Sequence, residues 1–238
     1  MPIQPADVCR ALVAPARTSH AQTADTVERA AVLASIAASY FRLRRGLAIL
    51  ALAFPPVLWL ASGARAMPGS ISAYYHISGG AARDVFVGVL WTIGAFLFFY
   101  KGYSTAENRA LNLAGGLAVV IAVSPLDWPP GAALTLRGGL HDASAIVFFL
   151  CIAYVCVRCS SDTVTLLDAA RRQAFTRTYR LLGFLMIALP LGVAALRLLL
   201  GRAAPDVMVT GIEIAAIYVF AVFWLVKSRE IALIERST

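Results

Sequence analysis

The chain has 238 residues, of which 60% are hydrophobic and 14% charged, with a formal net charge of +8. A soluble domain carries roughly 45–50% apolar and 25% charged residues, so this composition excludes an ordinary soluble enzyme and fits a lipid-facing surface. The mean hydropathy of +0.75 agrees.

In chain order, residues 1–24 read as a flexible cytosolic tail. They contain Pro2, Pro5, Pro15, Arg10 and Arg17 but no apolar run of signal-peptide length, so no cleavable signal is expected. Residues 25–45 read as an amphipathic helix lying on the membrane interface. Asp25 with Glu28 resembles a capping box, and Val27, Ala31, Leu33, Ile36, Ala37, Tyr40 and Phe41 follow helical spacing. Arg42, Arg44 and Arg45 would close that helix at the lipid headgroups.

Six apolar stretches follow, at about 46–64, 85–100, 110–125, 143–157, 181–201 and 207–226. A helix rises about 1.5 Å per residue, so roughly 20 residues cover a hydrocarbon core of about 30 Å. Residues 46–228 are therefore expected to form a six-helix transmembrane domain, and 229–238 a short cytosolic tail. Pro55, Pro56 and Pro190 fall mid-span and are expected to kink their helices. Gly115 and Gly116 suit close helix approach. The basic segment 160–180, helical in composition, reads as a cytosolic loop resting at the membrane surface. Cys156 and Cys159 have C-x-x-C spacing, but with no second pair they read as ordinary reduced thiols, like Cys9 and Cys151.

The positive charge is unevenly spread. Of the 21 Lys and Arg, 16 fall in the N-terminal extension, the second and fourth connections and the C-terminal tail, and 5 in the other three connections. The positive-inside rule then puts both termini in the cytoplasm. A basic face against anionic lipid accounts for the net charge without nucleic acid.

That orientation gathers the polar residues on the outer side. The first outer loop carries Ser72, Tyr75 and His76, with Arg83 and Asp84 at the start of the next span. Ser124 and Asp127 end the third span, His141 and Asp142 begin the fourth, Arg197 ends the fifth, and Glu213 lies inside the sixth. A charge near mid-membrane costs about 2.5–3.5 kcal/mol or more, so Glu213 should face the bundle, with Arg197 as its partner. The pair is either a brace or part of a binding site. Asp142 reads as a helix cap with His141 as an interface residue, or else as the carboxylate that orients His141 as a general base or metal ligand. A looser alternative assembles His76, Asp84 and His141 around a zinc ion with a bound water. Tyr74, Tyr75, Trp59 and Trp128 suit an aromatic belt.

An ordered motif series runs through the spans: Ser70-Ile71-Ser72-Ala73-Tyr74-Tyr75, Arg83-Asp84-Val85-Phe86-Val87-Gly88, Phe98-Phe99-Tyr100-Lys101-Gly102-Tyr103, Asn112-Leu113-Ala114-Gly115 and Phe223-Trp224-Leu225-Val226-Lys227. Over about residues 46–228 this resembles bacterial six-helix membrane proteins close to the DUF998 group, itself similar to the Frag1/DRAM/Sfk1 membrane proteins. The resemblance implies a six-helix fold in a bacterial inner membrane and no settled reaction. The chain is also distantly similar to the alkaline-ceramidase-like hydrolases, with Ser72, His76 and Asp84 at that superfamily's serine, histidine and aspartate positions. The paired histidines in H-x-x-x-H spacing are missing, since the remaining His are His20 and His141.

The expected fold is thus all-α, a polytopic bundle of six transmembrane helices with an N-terminal amphipathic helix. The expected function is an outward-facing pocket of Ser72, Tyr75, Arg83, Asp84, His141, Asp142, Arg197 and Glu213 that binds or moves a lipid headgroup or small polar solute, without a cofactor. In it Arg83 would meet an anionic group. The alternative is a zinc-dependent hydrolase acting on a lipid amide or ester. Expected partners are membrane lipids and a small polar ligand, with a homo-oligomer left open.

Overall fold

A computed structural model describes residues 19–64, 68–77, 79–129, 132–201 and 204–235. Cys9 and the first two arginines of the N-terminal count lie outside the described residues, as do Arg65, Arg202 and Arg236. The described residues hold six helices long and apolar enough to cross a membrane, and no strand. They are α1 (Ser19–Ala61), α2 (Ala81–Phe99), α3 (Thr105–Val123), α4 (Leu136–Tyr154), α5 (Ala169–Leu200) and α6 (Asp206–Glu235). This is an all-helical, multi-pass membrane architecture.

The chain divides into two units, residues 1–41 and 42–238. The described part of the first is helical from Ser19 onward, so Asp25 lies within the helix and does not open it. The same helix is assigned on to Ala61, with no break at 45.

In the second unit α2 packs on α3, α3 on α4, α4 on α5 and α5 on α6. Caps fix where these helices start. Ser104 Oγ accepts from Glu107 N at 3.2 Å to open α3, and Asp168 accepts from Arg171 N at 3.0 Å to open α5. Residues 169–180, expected to be helical within a loop at the membrane surface, are helical and continuous with the span as the first three turns of α5. At the far end of α4, residues Val155–Cys159 form a π-helical turn in which Ser160 N reaches back to Val155 O at 3.0 Å. That turn carries the C-x-x-C cysteines, whose thiols are free and buried.

Close approach of α2 and α3 depends on Gly94 and Gly115, which face each other. A Cβ on Gly115 would stand 2.6 Å from Gly94 O and 2.9 Å from Phe98 N, whereas one on Gly116 would meet nothing within 4 Å. Both obstacles to Gly115 are backbone, so the helices would have to separate. Gly115→Ala is expected to cost about 1–3 kcal/mol, the usual range for overpacking, and Gly116→Ala to be neutral. Thermal unfolding of the two variants in detergent checks this, and equal effects would contradict the packing.

Arg44, expected at the headgroups, and Lys227 are buried. Arg44 and Lys227 are each 1% exposed, because the helix ends around them supply polar partners that replace water. The Arg44 guanidinium donates to the Tyr100 and Tyr103 hydroxyls at 3.1 and 3.3 Å. Lys227 Nζ donates to Thr163 Oγ1 at 2.7 Å and pairs with Glu230 at 3.2 Å, and Tyr179 also donates to Glu230. Burial pushes the Tyr100 and Tyr103 hydroxyls well above their usual pKa, so they stay neutral donors and acceptors. Trp224 closes this cluster against Tyr100, Phe220 and Phe223. Tyr74 is buried as well, at 1% exposure, and is a core residue, not an interfacial anchor.

Candidate functional site

At the opposite end of α2 and α6 the chain builds a second polar region, and this one opens into a cavity of about 660 Å³. Four segments converge there: the loop before the 3-10 turn Ser72–His76, the first turns of α4, the last turn of α5 and the early turns of α6.

The loop is held by α6. Glu213 accepts from Ser70 Oγ at 3.0 and 2.9 Å and from Ile71 N at 2.6 Å. Its other contact is the Arg197 guanidinium at 3.6 Å, with side-chain exposures of 37% for Arg197 and 21% for Glu213. The expected Arg197–Glu213 pair therefore forms, but the closer partners are the loop hydroxyl and amide. Gly69 permits this. Its φ is +80°, a left-handed conformation that favours glycine, and a Cβ there would push the exposed Asp206 side chain aside.

Ser72 follows in the same loop. Its amide donates to Ser70 Oγ at 3.1 Å, which aims its own hydroxyl at His141 Nε2, 2.9 Å away. The other ring nitrogen, Nδ1, lies 2.7 Å from Ser124 O. A carbonyl can only accept, so Nδ1 carries the proton and Nε2 offers its lone pair to the Ser72 hydroxyl. His141 is 2% exposed. The group that orients it is thus the Ser124 carbonyl and not the neighbouring Asp142.

Nor is Asp142 a helix cap. Thr135 caps α4 by accepting from Gly138 N at 3.1 Å, which leaves Asp142 a turn and a half inside the helix. Thr135 is itself held by Asp127 through its amide at 2.9 Å and hydroxyl at 2.6 Å. Those two bonds keep the Asp127 carboxyl below the usual carboxylate range.

Of the expected pocket residues, Ser72, His141, Asp142, Arg197 and Glu213 line the cavity and Tyr75, Arg83 and Asp84 do not. Arg83 and Asp84 sit 3.6 Å from each other on an exposed first turn of α2, with side-chain exposures of 52% and 75%. The Tyr75 ring packs edge-on against His76 and Phe86. Arg197 is the lone cation among the described lining residues, so it occupies the place expected for Arg83. Ser70, Asp127 and Asp206 also line the cavity. Ser70 is polar and stands two residues from Ser72, but nothing in a linear pattern says that it faces Glu213.

The zinc alternative is not assembled. His76 Nε2 lies 2.7 Å from Leu126 O, both His141 nitrogens are engaged, and Asp84 points to the surface beside Arg83. The described residues contain no group of three or more His, Cys, Asp or Glu able to hold a metal ion.

The remaining walls are apolar: Phe54, Phe86, Phe148, Phe149, Leu189 and Phe220. Counted along their helices at about 1.5 Å per residue, Leu189, Phe148 and Phe220 lie roughly 16, 18 and 21 Å from the polar ends of α5, α4 and α6. The cavity therefore runs from a polar mouth to about the depth of one leaflet. No family model, no curated protein and no solved structure matches this chain.

Proposed function

We propose that this is a multi-pass protein of a bacterial inner membrane, with both termini cytoplasmic, whose cavity opens outward and binds or moves a membrane lipid by its headgroup. The observation that carries the reading is the cavity's two-part lining, polar at the mouth and aromatic or aliphatic to the depth of one leaflet. Its volume lies within the roughly 300–1,000 Å³ of ordinary small-molecule sites. The uneven distribution of Lys and Arg supports the orientation. The resemblance to the DUF998-like six-helix proteins is in keeping with both.

The charge of the lining narrows the headgroup. Asp127, Asp142, Asp206 and Glu213 face one cation, Arg197. A purely anionic headgroup would meet this excess of carboxylates at a cost. A zwitterionic one would place its phosphate on Arg197 and its ammonium on Asp142. Native mass spectrometry of the detergent-purified protein, offered vesicles of mixed zwitterionic and anionic phospholipids, tests the reading. The expected result is retention of an amine-bearing zwitterionic lipid, reduced about tenfold in Arg197→Gln, equivalent to about 1.4 kcal/mol. Retention of anionic lipid alone, or equal retention by the variant, would refute it. Cysteines introduced at 76 and 140 should react with an impermeant thiol reagent applied from outside the cell.

A further inference from the structure

The cavity's mouth holds a hydroxyl whose proton is already directed at a base. Ser72 Oγ stands 2.9 Å from His141 Nε2, and the Nδ1 contact with Ser124 O leaves that nitrogen as an acceptor only. Nucleophile, base and orienting group are the three parts of hydroxyl activation, with a backbone carbonyl here in the orienting role. We propose that Ser72 is the nucleophile of a membrane-embedded acyl hydrolase that cleaves an ester bond of the lipid held in this cavity. The proposal rests on the lipid reading above for its substrate class.

The location suits the bond. An ester joins the polar and acyl parts of a glycerolipid, and Ser72 sits where the polar mouth meets the apolar wall, with Ile71 and Phe86 also in the lining. In the first half-reaction Ser72 Oγ bonds to the carbonyl carbon and its proton passes to His141 Nε2. The carbon–oxygen bond to the leaving alcohol then breaks, and His141 returns the proton to that oxygen. In the second half, water loses a proton to His141 and attacks the acyl carbon. The acyl–Ser72 bond breaks, the fatty acid leaves, and His141 reprotonates Ser72.

The developing oxyanion needs a donor. The Ile71 amide is committed to Glu213 and the Ser72 amide to Ser70 Oγ. Arg197 carries five N–H donors and its Glu213 contact is long at 3.6 Å, so beside the headgroup phosphate it keeps donors to stabilise the oxyanion. Glu213 is a positioning residue, since it touches the loop that presents Ser72 and not the reacting atoms.

The test treats the full detergent-purified chain with a long-chain alkyl fluorophosphonate and maps the adduct by peptide mass spectrometry. In that reaction a Ser72 oxygen–phosphorus bond forms, fluoride leaves and the proton passes to His141. One adduct on Ser72 is expected, absent in Ser72→Ala and slowed at least about a hundredfold in His141→Gln, the low end of general-base contributions. In parallel, fatty-acid release from micelles of a zwitterionic diacyl phospholipid should vanish in Ser72→Ala and fall about 10²–10³-fold in Arg197→Leu. Thermal unfolding of each variant in the same detergent shows that it is folded. An unlabelled Ser72 with no fatty-acid release, in protein that still retains lipid, overturns the hydrolase and leaves the lipid site standing. Release that persists in Ser72→Ala also overturns it. A Ser72 adduct in protein that retains no lipid keeps the nucleophile and removes the lipid reading.

Discussion

Replacing Glu230 by leucine is expected to lower stability by about 3–5 kcal/mol, the range for removing one partner of a buried ion pair. Glu230 is fully buried and Lys227 is 1% exposed, so the loss leaves the ammonium with the Thr163 hydroxyl, the faces of two tyrosines and the more distant carboxylate of buried Glu107. Lys227 Nζ lies 5.4 and 5.6 Å from the ring centroids of Tyr103 and Tyr179. Cation–π contact at that range offsets part of the cost but does not replace a carboxylate. Tyr179 loses its acceptor in the same change. The informative comparison is the double variant Lys227→Met/Glu230→Leu, which removes both charges and should recover most of the loss. Denaturant or thermal unfolding in one detergent measures all three proteins. If the single and double variants unfold alike, the charges do not depend on each other and the pairing fails as an account of stability.

Glu213→Leu is expected to act on stability and on the site together. Ser70 Oγ and Ile71 N lose a charged acceptor, at roughly 1.5–3 kcal/mol per bond, and Arg197 loses its counter-charge. Because Glu213 and Arg197 are both partly exposed, water compensates some of this, and a net loss of about 2–4 kcal/mol is expected. The loop carrying Ser72 would then no longer be fixed to α6. Lipid retention and Ser72 labelling should fall in Glu213→Leu by more than in Glu213→Gln, which keeps an acceptor for Ile71 N. The double change Arg197→Leu/Glu213→Leu separates a brace from a site. In it Ser70 Oγ and Ile71 N still lack their acceptor, so only the part of the loss due to unpaired Arg197 returns; a brace predicts that lipid retention rises with it, whereas a binding role predicts that retention stays lost.

These two residues also mark how far a linear reading reaches. Glu213 was legible because a carboxylate in an apolar run has few affordable surroundings, and Arg197 was the nearest charge at matching depth. Glu230 and Lys227 were not legible. They stand at the end of an apolar run, where charged residues are ordinarily at the headgroups, and only the packing of α5 and the Thr163 turn against α6 removes them from water. Arg44 was misread for the same reason. His141 was open to two readings, an interface residue or a base or metal ligand oriented by Asp142, and neither named the group that holds its ring. A backbone carbonyl seventeen residues away leaves no trace in residue identity.

Composition and the spacing of apolar runs determined by themselves that this chain is a bundle of six membrane-length helices, because each run must satisfy its backbone internally in lipid. They also determined that Ser72, His141, Arg197 and Glu213 belong near one end of the spans. Which of the polar residues share a cavity was decided only in three dimensions. Arg83 and Asp84 lie one turn from the right place yet face outward, while Ser70 turns inward to Glu213. The reason is angular: a helix or tight loop sends neighbouring side chains in different directions, and only the packed partners select which of them meet.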